Sequence, residues 1–178
     1  IDPDLVDAWA YLFTSIKDSK GEEAAAEELE KLAKDKKSAR PLVAAQAYYG
    51  GKDETRDKAI EYGKKALEVN PDDVLALLAQ SALFGQKGEL DQVVKLLQPH
   101  EAKMTRDVRL ANNYFEALFQ SRQIDKVTKL LNALAGAPNK EVKQFAIERS
   151  RVVAQYLQQQ QQQLAGAAGG GAQPQRRA

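Results

Sequence analysis

The sequence predicts an all-α fold of about four helix-turn-helix units followed by a C-terminal capping helix. Three observations predict it. The apolar pattern repeats every 34 residues. Prolines and glycines punctuate the pattern where helices must begin and end. A last apolar stripe, from Val142 to Leu157, has no partner helix after it.

The period comes from comparing the chain with itself. Leu90-Asp91-Gln92-Val93-Val94-Lys95-Leu96-Leu97 recurs 34 residues later as Ile124-Asp125-Lys126-Val127-Thr128-Lys129-Leu130-Leu131. The same shift backwards puts Ala59 on Val93, and Trp9 aligns with Val43, Leu77 and Ala111, all apolar or small. Asp2-Pro3 precedes Asn70-Pro71 by 68 residues, and Ala137-Pro138 follows it by 67. Units are therefore expected at about 6–39, 40–73, 74–107 and 108–141.

Each unit reads as two helices. Asp2 and Asn70 are good N-caps, with Pro3 or Pro71 at the first helical position. Gly21, Gly50-Gly51, Gly88 and Gly136 break the apolar pattern near the turns. The expected helices are 4–19 and 22–36, 40–49 and 54–69, 72–86 and 89–103, and 106–121 and 123–135. Pro99 removes a backbone donor, so it should kink or end its helix near Gln98.

The capping helix is expected over 142–164, with Val142, Phe145, Ile147, Val152, Val153, Tyr156 and Leu157 on its stripe and Arg149 mostly off it. Gln158–Gln163 reads as a fraying extension of that helix. Residues 165–178 are Ala, Gly, Gln, Pro and Arg without periodicity, and a disordered tail is expected there. At the other end, Ile1-Asp2-Pro3 is expected to close an earlier unit upstream.

Composition narrows the function classes. The 26 Lys and Arg nearly balance 25 Asp and Glu, so there is no field that would make nucleic acid or anionic membrane the main partner. The 12 basic and 15 acidic residues up to Pro71, against 14 and 10 after it, give only a mild asymmetry. With no cysteine, disulfides, thiolate metal sites and thiol nucleophiles are absent. His100 is the only histidine. No enzyme activity, metal or cofactor is expected on this inventory. No apolar run is long enough to span a bilayer, and the compartment stays open. Glu27 with Lys31 and Glu30 with Lys34 are helix-surface pairs, and Gly50-Gly51-Lys52 lacks the spacing of a phosphate loop.

The repeat resembles the tetratricopeptide family (TPR) in degenerate form. Trp9 and Ile16 stand at the family's large apolar positions seven apart, and Ala25 at the small crossing position of the second helix. Ala59, Ala66 and Pro71 match the next unit, Phe84, Gly88 and Val93 the third, and Leu118 and Val127 the fourth. Gln80 and Ser81 replace the usual leucine and glycine, and Arg122 stands where the turn glycine belongs. The resemblance covers residues 1 to about 155. Pentatricopeptide repeats, with a period near 35, stay open beside it. The resemblance implies a right-handed superhelix whose first helices line a concave groove. It also places His100 on the outer side, as an ordinary surface histidine.

In that register the groove is lined by Asp7, Ala10, Tyr11, Thr14 and Lys17, then by Pro41, Ala44, Ala45, Tyr48 and Gly51. Leu75, Leu78, Ala79, Ala82 and Gly85 follow, and then Arg109, Asn112, Asn113, Glu116 and Phe119. Tyr11, Tyr48, Leu75, Leu78, Arg109, Asn112, Asn113, Glu116 and Phe119 are the candidate partner-binding residues. For Leu75 and Leu78, packing on a neighbouring helix is an equal reading. A carboxylate clamp is not expected, because Leu78, Ala82 and Ile147 occupy positions that such a clamp fills with Lys, Asn and Arg.

The implied function is a non-enzymatic scaffold that holds a peptide or helix of another protein. Two other readings stand beside it. One is a docking or regulatory segment of a larger enzyme or of an envelope or secretion assembly. The other is helical-repeat RNA binding, which would need a basic stripe on every unit.

Overall fold

The computed structural model describes residues 6–169, and among them every regular element is helical. The chain opens with α1 (Val6–Lys20) and α2 (Glu22–Lys36). Then come α3 (Arg40–Gly50), a 3-10 turn at Asp53–Thr55 and α4 (Arg56–Val69). The middle holds α5 (Val74–Gln86), α6 (Leu90–Leu97), a second 3-10 turn at Gln98–His100 and α7 (Glu101–Met104). The last three are α8 (Val108–Gln120), α9 (Ile124–Ala135) and α10 (Lys140–Gly169). None of these helices is long and apolar enough to cross a membrane.

The helices form where the apolar spacing says they should. In α1, Trp9 and Phe13 lie one turn apart and both are buried. In α2, Ala25, Ala26, Leu29 and Ala33 make one buried stripe behind an acidic first turn, Glu22 and Glu23. Pro41 sits in the first turn of α3, where its missing N–H costs no bond. Asp73 and Asp107 cap α5 and α8: Asp73 Oδ1 accepts from Ala76 N at 2.9 Å, and Asp107 Oδ1 from Arg109 N at 2.9 Å and Leu110 N at 3.3 Å.

Three expected boundaries move. The helix after Asn70-Pro71 starts at Val74, because Asp73 takes the cap. The Asn70 side chain instead closes a turn, accepting from Asp72 N at 3.1 Å. Helix 89–103 is broken as Pro99 requires, with the 3-10 turn between α6 and α7. The last helix begins at Lys140 and its backbone stays helical to Gly169, past Ala165 where a tail was expected. The rest of that expected tail, 170–178, lies outside the described residues, as do Asp2 and Pro3.

Packing follows chain order. The first helices lie on one another in sequence: α1 on α3, α3 on α5, α5 on α8 and α8 on α10. Each second element closes the wedge behind a pair, with α2 against α1 and α3, α4 against α3 and α5, α6 against α5 and α8, and α9 against α8 and α10. Residues one period apart share the core. Trp9, Val43, Leu77 and Ala111 are all buried, and so are Ala25, Ala59, Val93 and Val127. Each fully buried leucine, such as Leu77, Leu110 or Leu118, contributes about 1.5–3 kcal/mol by leaving water.

His100 differs from expectation. Its side chain is only 15% exposed, with Nδ1 3.3 Å from Asp72 Oδ1. The break at Pro99 turns the chain back towards the Asn70–Asp73 turn, and Lys103 Nζ reaches the same Asp72 oxygen at 3.2 Å.

Candidate functional site

The first helices, each packed on the next, position the candidate residues, and side-chain hydrogen bonds tie several of them together. Between α3 and α5, Gln46 Nε2 donates to Gln80 Oε1 at 2.8 Å, and Gln80 Nε2 in turn donates to Ile60 O of α4 at 3.3 Å. Between α5 and α8, Asn113 Nδ2 donates to Ser81 Oγ at 2.9 Å. Between α8 and α10, Arg149 Nη2 donates to Asn112 Oδ1 at 3.0 Å and lies 3.3 Å from Glu116 Oε1. The Arg149 guanidinium also covers the Phe115 and Phe145 rings, at 5.2 and 5.4 Å.

This geometry sorts the candidates. Asn112 and Glu116 are brought together by Arg149, and Asn113 by Ser81. Arg109 stands apart at the start of α8, where its guanidinium grips its own helix cap, Asp107, at 2.7 Å. Arg109 holds the Asp107 carboxyl below the usual carboxylate range, assisted by the backbone N–H bonds of the cap. Phe119 is half-buried, stacked on Phe115 at 5.5 Å and edge-on to Tyr156 at 5.2 Å.

At the other end, Tyr11 is 78% exposed and Tyr48 37%. Tyr48 packs against Phe13 at 4.5 Å under the Lys17 ammonium, at 5.5 Å from the ring, which fixes the ring's place on the face. Leu75 and Leu78 are partly buried and pack on the core. Pro41, Ala44 and Ala45, expected on the groove, are buried in the packing instead. The reason is that α3 is covered on several sides, by α1, α2, α4 and α5, so only its last turn reaches the face.

A pocket of about 180 Å³ opens between α5 and α8. Leu90, Val93 and Ala117 give it an apolar floor. Asn113, Glu116 and Gln120 supply polar groups, and Ala82 and Gly85 keep its α5 side open. Four of the groove positions read from the sequence, Ala82, Gly85, Asn113 and Glu116, therefore converge on one cavity. Tyr11, Tyr48 and Arg109 do not line it.

Sequence reasoning missed Arg149, Ser81 and Gln120 as parts of this face. Arg149 was legible: it stands seven residues after Val142 and four after Phe145, which returns it to the packed side of the helix. Gln46 and Gln80 also carried a signal, as two polar residues one period apart at a buried register. Among the described residues, no group of three or more His, Cys, Asp or Glu is placed to hold a metal ion. Comparison with known proteins returns no match, either to a family model or to a curated protein.

Proposed function

We propose that this chain is a non-enzymatic protein-interaction scaffold of four tetratricopeptide-like units, wound as a right-handed superhelix and closed by a capping helix. It holds a segment of a partner protein against the face of its first helices. One observation carries this reading: α1, α3, α5, α8 and α10 pack in order into one layer, and four sequence-read groove positions on α5 and α8 meet in a single open pocket. A surface that combines half-exposed tyrosine, leucine and phenylalanine with fixed hydrogen-bonding groups suits a peptide or helix that buries a few side chains.

Site-specific photo-crosslinking in extract of the source cells tests the reading. A photoreactive residue at exposed Ala82 on α5 is compared with one at exposed Lys129 on α9. Discrete protein adducts from position 82 and none from position 129 are expected. Adducts from both positions alike, or from neither, would overturn the groove.

A further inference from the structure

We propose that the pocket between α5 and α8 is the anchoring subsite of that face and takes a lysine side chain of the partner; the inference rests on the scaffold reading above. The chemistry of the lining selects the ligand. Glu116 is the only charged residue lining the pocket. The Ser81 hydroxyl is already committed, donating to Leu78 O at 3.0 Å and accepting from Asn113 Nδ2 at 2.9 Å. One of the two Asn113 N–H donors is so engaged, and the amide keeps its oxygen and its second N–H. The pocket's acceptors are the Asn113 and Gln120 amide oxygens and the Glu116 carboxylate, its one charged group, beside the apolar Leu90, Val93 and Ala117.

A lysine matches both parts. Its four-carbon stem lies along apolar surface, and its ammonium has three donors and no acceptor. Glu116 also pairs with Arg149 on the α10 side of α8, at 3.3 Å, so a lysine ammonium entering the pocket shares the carboxylate with a guanidinium that is itself divided between Asn112 and two aromatic rings.

Gly85 supplies an independent indication. It lies inside α5, where glycine is a poor helix former. Its φ is not positive, and a Cβ there would meet nothing within 4 Å. The fold thus has no need of glycine at 85, yet its missing side chain leaves clear the room above the pocket that a ligand would enter.

The test is an NMR titration of the 15N-labelled full chain with Nα-acetyl-lysine methylamide. The norleucine analogue, which has the stem without the ammonium, is the comparison. Lysine is expected to shift the amides of Gly85, Asn113 and Gln120 in a salt-sensitive way, and norleucine to shift them much less. Glu116→Gln should weaken the lysine response about tenfold, the size of one charge-assisted hydrogen bond. Gly85→Leu should abolish the response by filling the pocket, while preserving the helical spectrum. Equal responses to both probes, no shifts at the pocket, or an unchanged response in Glu116→Gln would overturn the inference. If crosslinks at position 82 persist while the lysine probe fails, only this subsite falls. Loss of both removes the groove itself.

Discussion

Gln46 and Gln80 stand one 34-residue period apart and hydrogen-bond to each other inside the core, Nε2 of the first donating to Oε1 of the second at 2.8 Å. Both side chains are 1% exposed, and Gly63 of α4 lies directly beneath them. A methyl group at 63 would overlap both amides, which is why the second helix needs glycine there. The pair shows how the same position in successive first helices meets across their interface.

Replacing one member should be worse than replacing both. Gln80→Leu leaves the Gln46 amide buried without its partner, at a cost of about 1–3 kcal/mol. The double variant Gln46→Leu/Gln80→Leu also removes the Gln46 Oε1 that has no partner now, and should recover much of that loss. A double-mutant cycle by urea denaturation checks this, with strong non-additivity expected.

Arg122 occupies a turn built for glycine. Gly88 ends α5 at φ 73°, and Arg122, one period later, ends α8 at φ 58°. The two turns share their bonds: Glu89 N donates to Phe84 O at 2.9 Å, and Gln123 N to Leu118 O at 2.9 Å. The left-handed backbone costs a non-glycine residue about 1–2 kcal/mol. Glycine would relieve this but loosen the unfolded chain by about 0.4–1 kcal/mol. Arg122→Gly should therefore stabilise by about half to one kcal/mol, and Gly88→Ala should destabilise. Denaturation midpoints at unchanged slope measure both.

Alkaline pH should unfold the chain through two buried tyrosines. Burial, with Glu30 nearby, pushes the Tyr62 phenol up to about 12, and burial, with Glu101 as hydrogen-bond partner, does the same for Tyr114. Folding thus favours their protonated forms. That stability is fully present below the ordinary tyrosine value near 10 and is lost as pH rises through about 12. A tyrosinate absorbance titration should show Tyr62 and Tyr114 ionising late, together with loss of helical signal. Tyr62→Phe should delay that loss, and an unfolding curve identical to the parent would count against this assignment.

Much of the architecture was legible in the sequence because helix periodicity is local. Trp9 to Phe13, Ala25 to Leu29 and Val93 to Leu97 each mark a buried stripe at helical spacing, and Gly21 and Gly88 make the turns between the first and second helices of their units. The caps were less legible. Asn70-Pro71 reads as a helix start, but Asp73 competes for the role and wins, because its carboxylate reaches Ala76 N and also lies 3.4 Å from the Arg40 guanidinium of α3. That second partner comes from another unit, which no local pattern reveals.

The site shows the same division. The sequence by itself determined a helical chain with a 34-residue period and named Ala82, Gly85, Asn113 and Glu116 as residues of one face. Only the tertiary structure decided that these four share a pocket, that Ala44 and Ala45 are buried, and that Arg149 holds Asn112 and Glu116 in place. The physical reason is range. Turns, caps and stripes are set within about one or two turns of a helix. Exposure of a face, and the partners of its polar groups, depend on side chains that reach across from helices 30 or more residues away, as Asn113 does to Ser81 and Arg149 to Asn112.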